Sequence, residues 1–120
     1  VRIKSVVSKL ADYVIDVSLF INPVKSQIEA SIKTGAKIIE LHTGQYANTA
    51  SVKTRRKDLE ILKAAVRFAI KNGFEVNAGH GLDYDNVRDV AAIDGISELI
   101  ARAMFVGIGN AVEEMVRLIR

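Results

Sequence analysis

The chain has 120 residues, of which 49% are hydrophobic and 26% are charged, and its formal net charge at pH 7 is +3. This balance places it among ordinary soluble globular proteins. Cysteine is absent, which excludes a disulfide framework and a thiolate metal site. No apolar stretch approaches the roughly 20 residues of a membrane-spanning helix, and no export signal is visible. We therefore expect a cytoplasmic protein.

Positive charge is densest in one run, Lys53-Thr54-Arg55-Arg56-Lys57. Such runs usually face water, so we interpret this one as a solvated loop or the start of a helix. A nucleic-acid patch is the alternative interpretation. It is the weaker one, because no aromatic residue lies between these charges to stack on bases.

The first part of the chain predicts a helix, a strand and a second helix. Apolar residues recur at helical spacing over residues 3–13. Residues 13–21 are then rich in β-branched and aromatic side chains, which predicts a strand buried on both faces, as in parallel sheets. Asn22 and Pro23 are typical of a helix start, and Gly35 predicts the end of that helix.

The same alternation of strand and helix continues along the chain. Further strands are predicted over residues 37–42, 74–78 and 96–99. Further helices are predicted over residues 57–71, after Asp83 as a cap, and from residue 101 onwards.

Four strand-then-helix units in succession predict an α/β fold with parallel strands and helical crossovers. Two architectures fit this order: an open flavodoxin-like sheet, or half of a (β/α)8 TIM barrel, which usually needs about 250 residues when whole. Because no linker or low-complexity tract interrupts residues 1–120, we expect a single domain.

The two histidines of the chain, His42 and His80, both fall at the C-terminal ends of predicted strands, where α/β folds bind their ligands. Glu40 and His42 are two residues apart and therefore share one face of their strand, while Ile39 and Leu41 face the helix layer. A buried carboxylate needs a partner or a purpose. Glu40 therefore either stabilises positive charge in a transition state or belongs to an internal hydrogen-bonded network.

His80 lies in the segment Asn77-Ala78-Gly79-His80-Gly81. The flanking glycines permit a sharp turn and close approach of a ligand, and free N–H groups there suit an anion. Histidine as a residue type suits proton transfer near neutral pH. The alternative is a tight turn with an idle histidine. No spacing supports a zinc site, so we expect no metal.

Four blocks of sequence resemble, in order and spacing, the pyridoxine 5′-phosphate synthase family of vitamin B6 biosynthesis. The resemblance covers about residues 10–120. The blocks are Val17–Pro23, Ile39–Ala47, Val76–Val87 and Ala101–Gly107.

The resemblance implies the C-terminal half of a (β/α)8 barrel from a homo-oligomer, an octamer of paired subunits. It implies an enzyme without cofactors that condenses 1-deoxy-D-xylulose 5-phosphate with 3-amino-2-oxopropyl phosphate, giving pyridoxine 5′-phosphate, phosphate and water. His80 matches the family's proton donor, and Glu40 matches its transition-state stabiliser. Gly81 matches a backbone contact to the phosphorylated aminoketone. No role carries over to His42.

Two departures from the family pattern stand out. The N-terminal half is absent, and with it a general-base histidine, a second catalytic glutamate and phosphate-binding arginines. The family also has Asn-Ile-Gly-His, a phosphate-binding element, plus about two residues where Leu99 here meets Ile100 directly. We expect a missing segment between Leu99 and Ile100. A half-barrel that serves only as a structural or assembly unit is the alternative to the enzyme.

Overall fold

The computed structural model describes residues 2–100 and 116–117. Its helices and strands alternate in the order that the sequence predicts, with one additional short helix. The elements are α1 (Arg2–Ala11), β1 (Ser18–Ile21), α2 (Lys25–Ile32), β2 (Ile38–His42), α3 (Gly44–Asn48), α4 (Val52–Lys71), β3 (Glu75–Gly79), α5 (Val87–Ala91) and β4 (Ile96–Ile100).

The four strands form one sheet in the order β1-β2-β3-β4, and every neighbouring pair is parallel. The α/β prediction with parallel strands is therefore confirmed. Parallel neighbours need a crossover connection, which the helices between the strands supply. All four carboxyl ends consequently lie along the same edge of the sheet.

The hydrophobic core lies on one face of this sheet. Ile39 and Leu41 of β2 and Val76 and Ala78 of β3 are fully buried there, which confirms the prediction that Ile39 and Leu41 face the helix layer. They pack against apolar side chains of the helices. The opposite side of the sheet, which carries Phe20, Glu40 and His42, is called the open face below.

The predicted strand over residues 13–21 is wrong in its first half. The chain leaves α1 through a turn in which Val14 has φ +60°, and extended pairing starts only at Ser18. β1 is also not buried on both faces, because its side chains alternate between exposed and half-buried. The cause is its position at the edge of the sheet with an uncovered open face.

Helix α2 begins at Lys25, two residues after the predicted start at Pro23. Asn22 does not cap it through its side chain. Instead, the backbone N–H of Asn22 donates to the side-chain oxygen of Gln27 at 2.8 Å. Gly35 lies just beyond the helix end with φ +82°, as the sequence predicts for a residue that ends a helix.

Helix α4 is five residues longer at its N-terminus than predicted, because Ser51 caps it and the basic run forms its first turns. The interpretation of residues 53–57 as a helix start is therefore confirmed. Short α3 falls where a polar loop was expected. Asp83 caps the turn before α5, accepting from the N–H groups of Asp85 and Asn86, rather than the helix itself.

Helical structure is also predicted for the end of the chain. Val116 and Arg117 are helical, in agreement with the helical spacing there. The helix predicted near residues 101–106, the break predicted at Gly107 and Gly109, and the rest of the final helical segment lie outside the described residues.

Candidate functional site

The carboxyl ends of β2 and β3 bring the predicted site residues together. In the sheet, Glu40 pairs with Asn77 and His42 pairs with Gly79. Residues paired across parallel strands share a face, and so do residues two apart on one strand. Glu40 and His42 therefore lie on the open face. His80 directly follows Gly79, the residue that pairs with His42.

Three rings meet at this edge. The imidazoles of His42 and His80 stack with centroids 4.5 Å apart and an angle of 30° between their planes. The ring of Phe20 stands edge-on to His42 at 5.1 Å and is tilted against His80 at 6.3 Å. Phe20 and His42 are thus site residues to which sequence reasoning gave no role.

Gly44 makes room for this stack. A Cβ atom built on Gly44 would lie 2.6 Å from Cε1 of His42 and 3.1 Å from Cδ2 of His80. Any side chain at this position would push against both rings. The glycine that follows His42 and Thr43 therefore has a steric role beside the histidine pair.

The electrostatics of the site link Glu40 to His80. Burial raises the pKa of the Glu40 carboxyl above its ordinary value of 4.5, and the charge of His80 partly offsets this effect. Burial lowers the pKa of His42 below 6.5, and repulsion from His80 lowers it further. A carboxyl group and two imidazoles consequently influence one another at one edge of the sheet.

The loop that carries His80 has an unusual backbone. His80 has φ +80° and Gly81 has φ +77°, a left-handed region that is costly, of order 1–3 kcal/mol, for a residue other than glycine. A Cβ atom on Gly81 would also lie 2.9 Å from that of Ala47. Glycine is therefore required at position 81 by both conformation and space.

Buried side chains hold this loop by its carbonyl groups. The Thr43 hydroxyl shares its one proton between the carbonyl oxygens of Gly79 and His80, which lie at 2.6 and 2.7 Å. The Asn86 amide donates to the carbonyl of Gly81 at 3.2 Å. Tyr46 in turn donates its hydroxyl proton to the carbonyl of Asn86 at 2.8 Å. Sequence reasoning missed these three residues, although Thr43 at a strand end beside a glycine was a usable signal.

One buried polar atom on the open face has no partner within the described part of the chain. It is Oδ1 of Asn77, the residue that pairs with Glu40 of β2 and with Glu98 of β4 in the sheet. Buried acceptors are nearly always hydrogen-bonded in folded proteins. This oxygen is therefore available to a donor group of a bound molecule.

Three further features concern metal ions, membranes and the basic run, and they are described for residues 2–100 and 116–117. Within that part, no group of three or more histidine, aspartate or glutamate side chains is arranged to hold a metal ion. No helix there is both long and apolar enough to cross a membrane. In the basic run, Arg55 forms a hydrogen bond within the chain, because its guanidinium donates to the carbonyl of Thr49 at 2.9 Å.

Known proteins resemble the chain over nearly its whole length. A pyridoxine 5′-phosphate synthase from Nostoc sp. is 53% identical over 125 residues, covering 99% of this chain and 52% of that protein. The synthases of Pelobacter propionicus and Geobacter sulfurreducens are each 44% identical, covering 98% and 95% of this chain. The chain spans about half the length of these relatives, 52% and 50% of the latter two.

A family comparison covers the whole sequence. The family of the pyridoxal phosphate biosynthesis protein PdxJ matches residues 1–120. This match agrees with the sequence resemblance carried by the blocks around Glu40 and His80. The chain therefore belongs to the PdxJ family of pyridoxal phosphate biosynthesis proteins.

Proposed function

We propose that this chain is the C-terminal half of a pyridoxine 5′-phosphate synthase with a (β/α)8 barrel. Four parallel strands in sequential order, with the apolar core on one face and Phe20, Glu40 and His42 on the other, fit half of such a barrel. The relatives named as synthases are about twice as long as the chain. The missing half would pair with the outer edges of β1 and β4 and cover the open face.

One observation carries the functional part of the proposal. Glu40 lies two residues before the end of β2, His80 directly follows the end of the neighbouring strand β3, and His80 lowers the pKa that burial raises at Glu40. In the proposed reaction, 1-deoxy-D-xylulose 5-phosphate condenses with 3-amino-2-oxopropyl phosphate. His80 donates a proton, and the Glu40 carboxylate stabilises positive charge that develops in the transition state. His80 is exposed at the edge of the sheet, where a substrate can reach it.

The backbone of the His80 loop supports a phosphate contact at Gly81. The carbonyl groups of Gly79 and His80 point at the Thr43 hydroxyl. A trans peptide unit directs its N–H opposite to its carbonyl. The N–H groups of His80 and Gly81 therefore point away from Thr43, and successive N–H groups of this kind suit an anion.

The segment after β4 is part of the proposal. The alignment with the Nostoc relative extends over 125 residues, more than the 120 of this chain, which supports a deletion relative to that protein. We propose that residues are missing between Leu99 and Ile100, and that they include a Gly-His element for substrate phosphate. Cytoplasmic location, octameric assembly and independence of cofactors are further proposals from the family resemblance.

A chimeric enzyme tests the function. The N-terminal half of the Nostoc synthase is joined to this chain, with and without the residues of that synthase restored between Leu99 and Ile100. We expect the restored chimera to form pyridoxine 5′-phosphate from the two substrates. His80→Ala should lower kcat by at least about 100-fold, and Glu40→Gln should lower kcat with little change in KM.

The matched control is Glu60→Gln, which removes an exposed carboxylate of α4 that pairs with Lys63 and should leave kcat unchanged. Wild-type rates with His80→Ala would remove the proton-donor role. An unchanged kcat with Glu40→Gln would favour an internal network. A folded but inactive restored chimera would favour the structural half-barrel.

A further inference from the structure

The direction of the His80 imidazole depends on a backbone conformation that histidine does not adopt unaided. His80 has φ +80°, a region that few residues other than glycine occupy. Such a conformation persists only where the surrounding structure holds it. The groups that hold His80 therefore decide where its ring lies.

Thr43 contacts both peptide units that flank the Cα atom of His80. Its backbone N–H donates to the carbonyl of Gly79 at 2.8 Å, and its hydroxyl lies 2.6 Å from the same oxygen and 2.7 Å from the carbonyl oxygen of His80. The single hydroxyl proton is shared between these two carbonyl oxygens. Thr43 therefore restrains both φ and ψ of His80.

The Thr43 hydroxyl does not form the local hydrogen bond that is common for threonine at this position. Thr43 immediately precedes α3, a position where threonine commonly accepts from an N–H of the helix it caps. Its side chain makes no such bond here. Thr43 is only 1% exposed, so its hydroxyl depends on the two carbonyl groups of the β3 loop.

The same residue also joins the two histidines. His42 directly precedes Thr43, and its ring stacks on that of His80 at 4.5 Å. Loss of the hydroxyl bond to His80 would free the loop to rotate away from this stack. Thr43 thus couples the end of β2 to the ring at the end of β3.

We propose that Thr43 is a positioning residue, whose hydroxyl holds His80 in the left-handed conformation and keeps its imidazole stacked on His42. The catalytic consequence of this inference depends on the proposed proton-donor role of His80. Its geometric part does not, so the two can fail separately.

Nuclear magnetic resonance of the 120-residue chain tests the geometry, since His42 and His80 are its two histidines. We expect a nuclear Overhauser contact between the two rings in the unchanged chain. Thr43→Val keeps the shape but lacks the hydroxyl, and the contact should disappear. Thr43→Ser restores a hydroxyl, and the contact should return.

Thr34→Val is the matched control. It removes a threonine hydroxyl that donates to a backbone carbonyl, that of Ser31 at 2.7 Å, and the ring contact should survive. A ring contact that persists in Thr43→Val would overturn the proposal. If Thr43→Val does not fold, Thr43→Ala against Thr43→Ser gives the same comparison, and equal ring contacts in both would overturn it.

In the restored chimera, the positioning role has a kinetic signature. Displacement of the donor by about 1 Å can cost on the order of 100-fold in rate, so Thr43→Val should lower kcat by about 10- to 100-fold, with Thr43→Ser close to the unchanged enzyme. Equal kcat in Thr43→Val and Thr34→Val would contradict the role. The ring contacts are read in the 120-residue chain whether or not the chimera is active.

Discussion

His42 is the residue at which the electrostatic effects of the site are easiest to measure, through the pH dependence of stability. Burial, and then repulsion from His80, lowers its pKa below the ordinary value of 6.5. At pH values between the lowered pKa of His42 in the folded chain and its ordinary pKa in the unfolded chain, the unfolded chain binds more protons at this residue than the folded chain does. Stability therefore rises with pH through this interval, and this contribution is lost as the pH falls below 6.5.

We predict that His42→Gln makes the free energy of unfolding less dependent on pH below 6.5. Glutamine cannot take up the proton whose binding the half-buried imidazole disfavours, so the loss of stability on acidification should shrink. Urea unfolding at a series of pH values between 4 and 8 measures this, with the unchanged chain as reference.

His80→Gln is the informative companion to that variant. It removes the repulsion from His80 but leaves the burial of His42, so it should reduce the pH dependence without abolishing it. Identical pH profiles for His42→Gln and the unchanged chain would show that His42 titrates alike in the folded and unfolded states.

Single residues also show which parts of the candidate site could be predicted from the sequence. Glu40 and His80 were predictable, because alternation along a strand and the position of strand ends follow from local spacing. Phe20, Thr43 and Asn86 were not assigned to the site. Their contacts depend on loops and strands that lie far apart in sequence, and local periodicity says nothing about these.

At the scale of secondary-structure elements, the end of α1 contains a conformation that its sequence does not favour. The N–H of Val14 donates to the carbonyl of Ala11, and the N–H of Ile15 donates to that of Leu10. This pattern ends helices through a residue in the left-handed region, usually glycine. Here that residue is Val14, at φ +60° and 94% exposed.

We predict that Val14→Gly raises the free energy of unfolding by about 0.5–1 kcal/mol. The relief of left-handed strain, roughly 1–2 kcal/mol, exceeds the extra backbone entropy that glycine loses on folding, about 0.5–1 kcal/mol. Chemical denaturation of the two chains measures the difference.

Val52→Gly provides the matched control for that change. Val52 is also highly exposed, at 83%, but it lies in the first turn of α4, where a left-handed conformation is not required. Val52→Gly should therefore lower stability slightly. Equal effects of the two substitutions would show that the conformation of Val14 is not strained.

The elements that sequence periodicity identified best are those with a continuous buried stripe. Strand β2 and most of α4 fall where the spacing of apolar residues predicts them, since their burial is regular. The strand predicted over residues 13–21 was too long, because an apolar composition alone cannot show where pairing with a neighbour begins. Short α3 has too few residues for a periodic pattern to be visible.

At the scale of the whole molecule, the sheet has two outer edges. Within the described residues, β1 pairs only with β2 and β4 only with β3. Phe20 on the open face is 54% exposed. Unpaired strand edges with apolar neighbours promote association with other chains.

We predict that the isolated chain self-associates as its concentration rises, and that an added N-terminal half of the Nostoc synthase suppresses this by covering both edges. Sedimentation velocity over a range of concentrations measures the association. A chain that stays monomeric, with or without the added half, would show that the edges and the open face are already protected.

The sequence by itself determined the alternation of strands and helices, the parallel α/β class, the placement of His42 and His80 at strand ends, and the position of Glu40 on the strand face that carries His42. These features follow from local spacing and from the chirality of the chain, which any short window carries. Only the tertiary structure decided which side chains hold the His80 loop, because Thr43 and its carbonyl partners are 36 and 37 residues apart in sequence. Such contacts exist only once the parallel sheet has brought the ends of β2 and β3 side by side.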